Sequence, residues 1–78
     1  MRRTFDNKRF GVRLRHMRKK AGMTMEHVAQ CAYISQSVIC RYESGEVTPT
    51  IDRVFALANL YGCSMDWLCG LKEEEYDE

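Results

Sequence analysis

Apolar residues first recur at Phe10, Leu14 and Met17, at spacings of four and three. That is the period of one buried helix face. Arg13, Arg15, Arg18 and Lys19 occupy the other faces. Asp6 or Asn7 stands where a start cap belongs, and Gly22 follows the lysines as a left-handed stop. Thr24 restarts the chain as a cap, with Glu26 in the first turn and Val28, Ala29 and Ala32 as a short stripe. Ser35 opens a third helix with Ile39 and Tyr42 inward and Gly45 as its end. Thr48-Pro49-Thr50 is a turn and a new cap. Ile51, Val54, Phe55, Leu57, Ala58 and Tyr61 then keep a helical rhythm up to Gly62. Ser64 caps a last short helix through Leu68, stopped by Gly70. No segment alternates with period two over a useful length, so the pattern predicts five helices, no sheet and no internal repeat.

The second and third helices are too short to stand alone in water. Separated by about three residues, they form a helix-turn-helix candidate that must pack on its neighbours. A chain of 78 residues allows one domain. Such a chain buries only about 60% of its unfolded surface, which argues against a deep enclosed active site. No apolar run is long enough to span a membrane, and no apolar stretch follows the basic start as in a signal peptide, so a cytoplasmic chain is expected. The organisation expected is a basic arm at residues 1–6, a folded unit at 7–70 and an acidic, frayed tail at 71–78.

Net charge is +1, but its distribution is polar: residues 1–22 hold nine basic side chains against Asp6, and residues 23–78 hold three against ten acidic ones. A basic pole of this kind suits a polyanion. The near-neutral total is less basic than nucleic-acid binders usually are. Cys31, Cys40, Cys63 and Cys69 contain no C-x-x-C pair and are expected to be buried thiols. No Ser/His/Asp or Cys/His set has supporting context, so no catalytic residue is expected. His27 and Cys31 share a helix face at i and i+4, but two ligands do not make a metal site. Cys40 lies beside Arg41 on the third helix, where oxidation would interfere with binding. No metal, cofactor or small-molecule ligand is expected.

In order, the chain reads: a basic first helix, Gly22-Met23-Thr24, Val28-Ala29, Ile34-Ser35-Gln36-Ser37-Val38-Ile39, Tyr42-Glu43-Ser44-Gly45, Pro49, Leu57-Ala58, and Cys63-Ser64-Met65-Asp66-Trp67-Leu68. Over residues 9 to 70 this resembles the lambda repressor and Cro family of helix-turn-helix domains. The resemblance implies an all-α, compact five-helix fold whose third helix enters the major groove of double-stranded DNA. It implies a transcription regulator, in most cases a repressor, that occupies an operator as a homodimer reading half-sites about one helical turn apart. On matching positions Gln36, Ser37, Val38 and Arg41 would face bases. The Met25 and Glu26 backbone, with Ser44, Gly45, Thr48 and Thr50, would hold phosphates. Arg18 and Glu43 would form an ion pair joining the first and third helices. Met65, Trp67, Leu68 and Leu71 are the candidate dimer interface.

Three positions depart from the family pattern. Met25 stands where Gln is usual, Tyr33 where the turn commonly has Gly, and Glu46 where a basic residue often holds phosphate. These departures, with the low net charge, leave a second reading open: an antitoxin-like or protein-interaction helix-turn-helix module that binds DNA weakly.

Overall fold

The computed structural model describes residues 4–73, and these fold into five helices. They are α1 (Asn7–Lys20), α2 (Met25–Ala32), α3 (Gln36–Ser44), α4 (Ile51–Tyr61) and α5 (Met65–Cys69), with no strand among the described residues. Arg2 and Arg3 of the expected basic arm, and residues 74–78 of the expected acidic tail, lie outside the described residues.

Side-chain caps set four of the five helix starts. Asp6 Oδ1 accepts from the backbone N–H groups of Lys8 at 2.9 Å and Arg9 at 3.3 Å. The hydroxyls of Thr24, Ser35 and Ser64 accept from His27, Val38 and Trp67 N–H. Each bond satisfies a donor that the helix itself leaves open. Thr50 makes no such bond. Its hydroxyl turns to the Asp52 carboxylate, which lowers the Asp52 pKa.

Phe10, Leu14, Met17, Val28, Ile34, Ile39, Tyr42, Val54, Leu57, Ala58, Trp67 and Leu68 form the core. Helix α1 packs on α3 and α5, α2 on α3 and α4, and α4 on α5. Gly11 makes the α1–α3 crossing possible: a Cβ there would lie 2.4 Å from the carbonyl oxygens of both Tyr42 and Glu43. A side chain of any size would push the two helices apart.

Three sequence expectations are corrected here. Trp67 and Leu68, expected at a dimer interface, are 4% and 0% exposed and belong to the core of a single chain. Although α5 is only five residues long, Arg13 of α1 lies over the Trp67 ring, its guanidinium carbon 4.8 Å from the ring centroid. The cysteines are not buried thiols: Cys31 and Cys40 are exposed, Cys63 and Cys69 half-buried. Two-turn and three-turn helices bury one stripe each, and Cys31 and Cys40 lie off it. The start of the acidic tail is held rather than frayed: Arg13 donates to the Trp67 and Lys72 carbonyls, and Arg9 pairs with Glu73. Burial, and then the charge of Arg9, lowers the Arg13 pKa.

Candidate nucleic-acid interface

Helix α3 has two chemically distinct sides. Ile39 and Tyr42 point into the core, 1% and 2% exposed. The Tyr42 ring meets Phe10 of α1 edge-on, and Arg53 Nη1 donates to its hydroxyl at 3.2 Å. With that side anchored, Gln36, Ser37, Cys40 and Arg41 are left on the solvent side. Gln36 and Ser37 occupy the first turn, where a helix entering a groove N-terminus first presents its side chains to base edges. Val38, expected among the base readers, is half-buried and packs against the core, which limits what its methyls can touch.

The turn before α3 keeps the left-handed backbone that Gly would suit. Tyr33 sits at φ 59° and ψ 41°, and Ile34 N–H closes back on the Ala29 carbonyl at 3.1 Å. The ring is 93% exposed, so no packing offsets the strain.

The residues expected at phosphates form two groups. Met25 and Glu26 open α2, where the first N–H groups have no carbonyl partner within the helix and the dipole is positive. The Met25 side chain is half-buried against the core, so the backbone is what this position offers outward. After α3, Gly45 turns the chain at φ 81° and lies close against Lys8, which leaves no room for a Cβ. Ser44 Oγ lies 3.1 Å from the Arg41 carbonyl and 3.0 Å from Glu46 Oε2. Thr48 Oγ1 donates to Asn7 Oδ1 at 3.0 Å, tying this loop to the start of α1. Glu46 therefore occupies the Ser44 hydroxyl and adds a negative charge beside it. Thr50 is exposed at the start of α4.

The scaffold behind this surface is held by Arg18 and Glu43. Arg18 Nε and Nη2 donate to the two carboxylate oxygens at 2.7 and 3.1 Å, and Nη1 donates to the Met23 carbonyl at 3.1 Å. The side chains are 12% and 5% exposed. This bidentate bond to Glu43 raises the Arg18 pKa further. It fixes the register of α1, the α2 entry and the end of α3 more than it adds net stability, because desolvation offsets much of the attraction. Tyr61 of α4 completes the cluster. Burial first, and then the charge of Glu43, pushes its phenol up to about 12.

Several residues that matter here gave a weak sequence signal. Gly11 was readable as a lone Gly inside a helical pattern, a mark of close packing. Arg13 and Arg18 read as polar-face residues of the first helix and Arg9 as part of the basic excess of residues 1–22, yet all three serve internal contacts. His27 and Cys31 are both exposed, and no group of three metal-capable side chains occurs among the described residues. No described helix is long and apolar enough to cross a membrane. Of the expected dimer residues, Met65 lines a groove beside Phe55, whereas Leu71 lines a different one with Thr4 and Phe5, so the set does not form one surface.

A helix-turn-helix family model matches residues 14–68. The uncharacterised HTH-type transcriptional regulator YobD of Bacillus subtilis is 37% identical over 62 residues, covering 80% of this chain and 55% of that protein. The P22 c2 repressor, solved in complex with a synthetic operator, superposes with a TM-score of 0.73 at 29% identity, over 76% of this chain and 89% of that one. The restriction-modification controller protein C.AhdI from Aeromonas hydrophila superposes with a TM-score of 0.76 at 25% identity, over 81% of this chain and 96% of that one. The chain spans about half the length of the curated relatives it matches.

Proposed function

This chain belongs to the Cro/C1-type helix-turn-helix family, and from that premise we propose that it is a sequence-specific regulator of transcription that binds double-stranded DNA. Residues 7–70 are the DNA-binding unit, flanked by a basic arm at 1–6 and an acidic tail at 71–78. The protein acts in the cytoplasm without enzymatic chemistry, as a repressor that occupies its operator. The observation that carries this reading is the two-sided α3: Ile39 and Tyr42 are locked inward while Gln36, Ser37 and Arg41 are exposed. Gln pairs bidentately with adenine and Arg with guanine in the major groove. The Met25 and Glu26 N–H groups, with Ser44, Gly45, Thr48 and Thr50, set the orientation by touching phosphates, which carry no sequence information. One such helix contacts few base pairs, so two copies related by a two-fold axis read paired half-sites.

Selection of bound duplexes from a random pool tests this. A recovered motif with two-fold symmetry is the expected result, and an unenriched pool overturns the reading. On the selected site, Gln36→Ala lowers discrimination at one base position by about 1–3 kcal/mol. Its affinity for unrelated duplex stays at the wild-type level. Glu46 beside Ser44 is the observation that favours the rival reading of a protein-interaction module. Salt separates the two: DNA affinity falls linearly in log[salt] with a slope set by the phosphates contacted.

A further inference from the structure

Among the described residues, left-handed backbone occurs at Gly22, Gly45, Gly62, Gly70 and Tyr33. Tyr33 is the exception in kind: a side chain in that conformation crowds its own carbonyl, and surrounding packing is what normally holds it there. Tyr33 has no such packing. Its ring is 93% exposed, more than any other large apolar side chain described. A strained residue that nothing in the fold requires points to a use outside the fold.

Its place in the chain narrows that use. Ile34, the next residue, is buried and pins the turn to the core. Ser35 then caps α3, its Oγ accepting from Val38 N–H at 3.3 Å. Tyr33 therefore stands just before the end of α3 that carries Gln36 and Ser37, with its ring in solvent.

We propose that Tyr33 is a DNA contact, its ring lying against a deoxyribose and its hydroxyl donating to a phosphate oxygen at the wall of the major groove. The contact rests on the operator reading above. The groove is about 12 Å wide and a helix with its side chains about 10–12 Å across, so α3 nearly fills it. A side chain that projects from the leading end of α3 meets the wall, which is sugar and phosphate, rather than the base edges. Tyr suits that wall, because its ring is apolar and its hydroxyl is among the donors that proteins place on phosphates. The residue is uncharged, so it orients the helix without releasing counterions and adds nothing to the salt dependence. Removing the ring relieves the backbone and deletes the contact at once, so stability and affinity move in opposite directions.

Urea unfolding and duplex titration of the full chain, run side by side, test the assignment. Tyr33→Gly keeps the left-handed turn without strain, so its urea midpoint rises. Its affinity falls about tenfold, for selected and unrelated duplexes alike. Tyr33→Phe keeps the ring and leaves the midpoint at the wild-type value. It weakens both duplexes about two- to tenfold, the loss of one hydrogen bond. In both variants the slope of log affinity against log[salt] stays as in the wild type. Tyr33→Phe binding like the wild type overturns the proposal. So does a loss confined to one base position, which would make Tyr33 a reader of bases, or a changed salt slope. A loss of affinity that comes with a lower urea midpoint also overturns it, since the ring would then serve the fold. A wild-type chain that binds no duplex overturns this contact together with the operator reading. Variants that match a wild type that does bind overturn the contact alone.

Discussion

Tyr33 holds a left-handed backbone at φ 59° with its ring 93% exposed. A non-glycine residue there loses about 1–2 kcal/mol relative to its relaxed conformation. Glycine removes that strain but adds unfolded-state freedom, roughly 0.5–1 kcal/mol in the opposite sense. Tyr33→Gly therefore stabilises the domain by about 0.5–1 kcal/mol, read as a higher urea midpoint at unchanged slope. A lower midpoint would mean that the ring holds contacts the fold depends on. Tyr61 makes a pH prediction instead. Burial favours its neutral phenol and pushes the folded-state pKa above the ordinary 10.0, to about 12. The folded chain therefore holds this proton more tightly than the unfolded chain. Its contribution to stability is full below pH 10 and is lost as the pH rises from there toward 12. Urea titrations across that window show a steeper decline for the wild type than for Tyr61→Phe; parallel declines would remove Tyr61 from the account.

At the level of elements, the α1–α3 crossing decides how firmly the exposed side of α3 is presented. Gly11 sits in the middle of α1, where Ala would favour an isolated helix by about 1 kcal/mol. The crossing reverses that preference, because the added Cβ meets two backbone carbonyls at 2.4 Å and neither can swing aside as a side chain would. Gly11→Ala is expected to lose about 1–3 kcal/mol overall. Thermal unfolding checks it, and a melting temperature at or above wild type would show that the helices separate cheaply. The order of elements was readable in the sequence because caps and stops sit at most of the boundaries: Asp6, Thr24, Ser35 and Ser64 start helices, and Gly45, Gly62 and Gly70 end them in left-handed conformations. The faces were harder. Ile51, Val54, Phe55, Leu57 and Ala58 are more apolar residues than one stripe of α4 can bury, and periodicity alone does not say which remain outside. The burial of Trp67 also depended on a partner from another helix, since Arg13 lies 54 positions away in sequence and meets Trp67 only across the fold. The candidate reading edge was readable at Gln36, Ser37 and Arg41, while the half-burial of Val38 follows from how α3 is rotated on α1 and α2 and leaves no trace in spacing.

For the molecule as a whole, the basic excess of residues 1–22 reads as a polyanion surface until its arginines are followed to their partners. Arg9 pairs with Glu73, Arg18 grips Glu43, and Arg13 spans from α1 to the end of α5. Charge that holds the fold together is not available to release counterions from a duplex. Arg13 is the sharpest case, because its guanidinium lies over the Trp67 ring and donates to the Trp67 and Lys72 carbonyls. A desolvated cation over an aromatic face is worth up to about 2 kcal/mol. In a domain of this size each kcal/mol lowers Tm by roughly 4–8 °C. Arg13→Gln should therefore lower Tm by roughly 4–16 °C while leaving the slope of log affinity against log[salt] as in the wild type, measured on unrelated duplex well below the melting transition. If Arg13 met a phosphate, the slope would instead become shallower by about 0.9 per contact removed. A shallower slope with an unchanged Tm would move Arg13 from the scaffold to the interface, and would make the basic pole of α1, rather than α3 and its flanking loops, the main source of affinity.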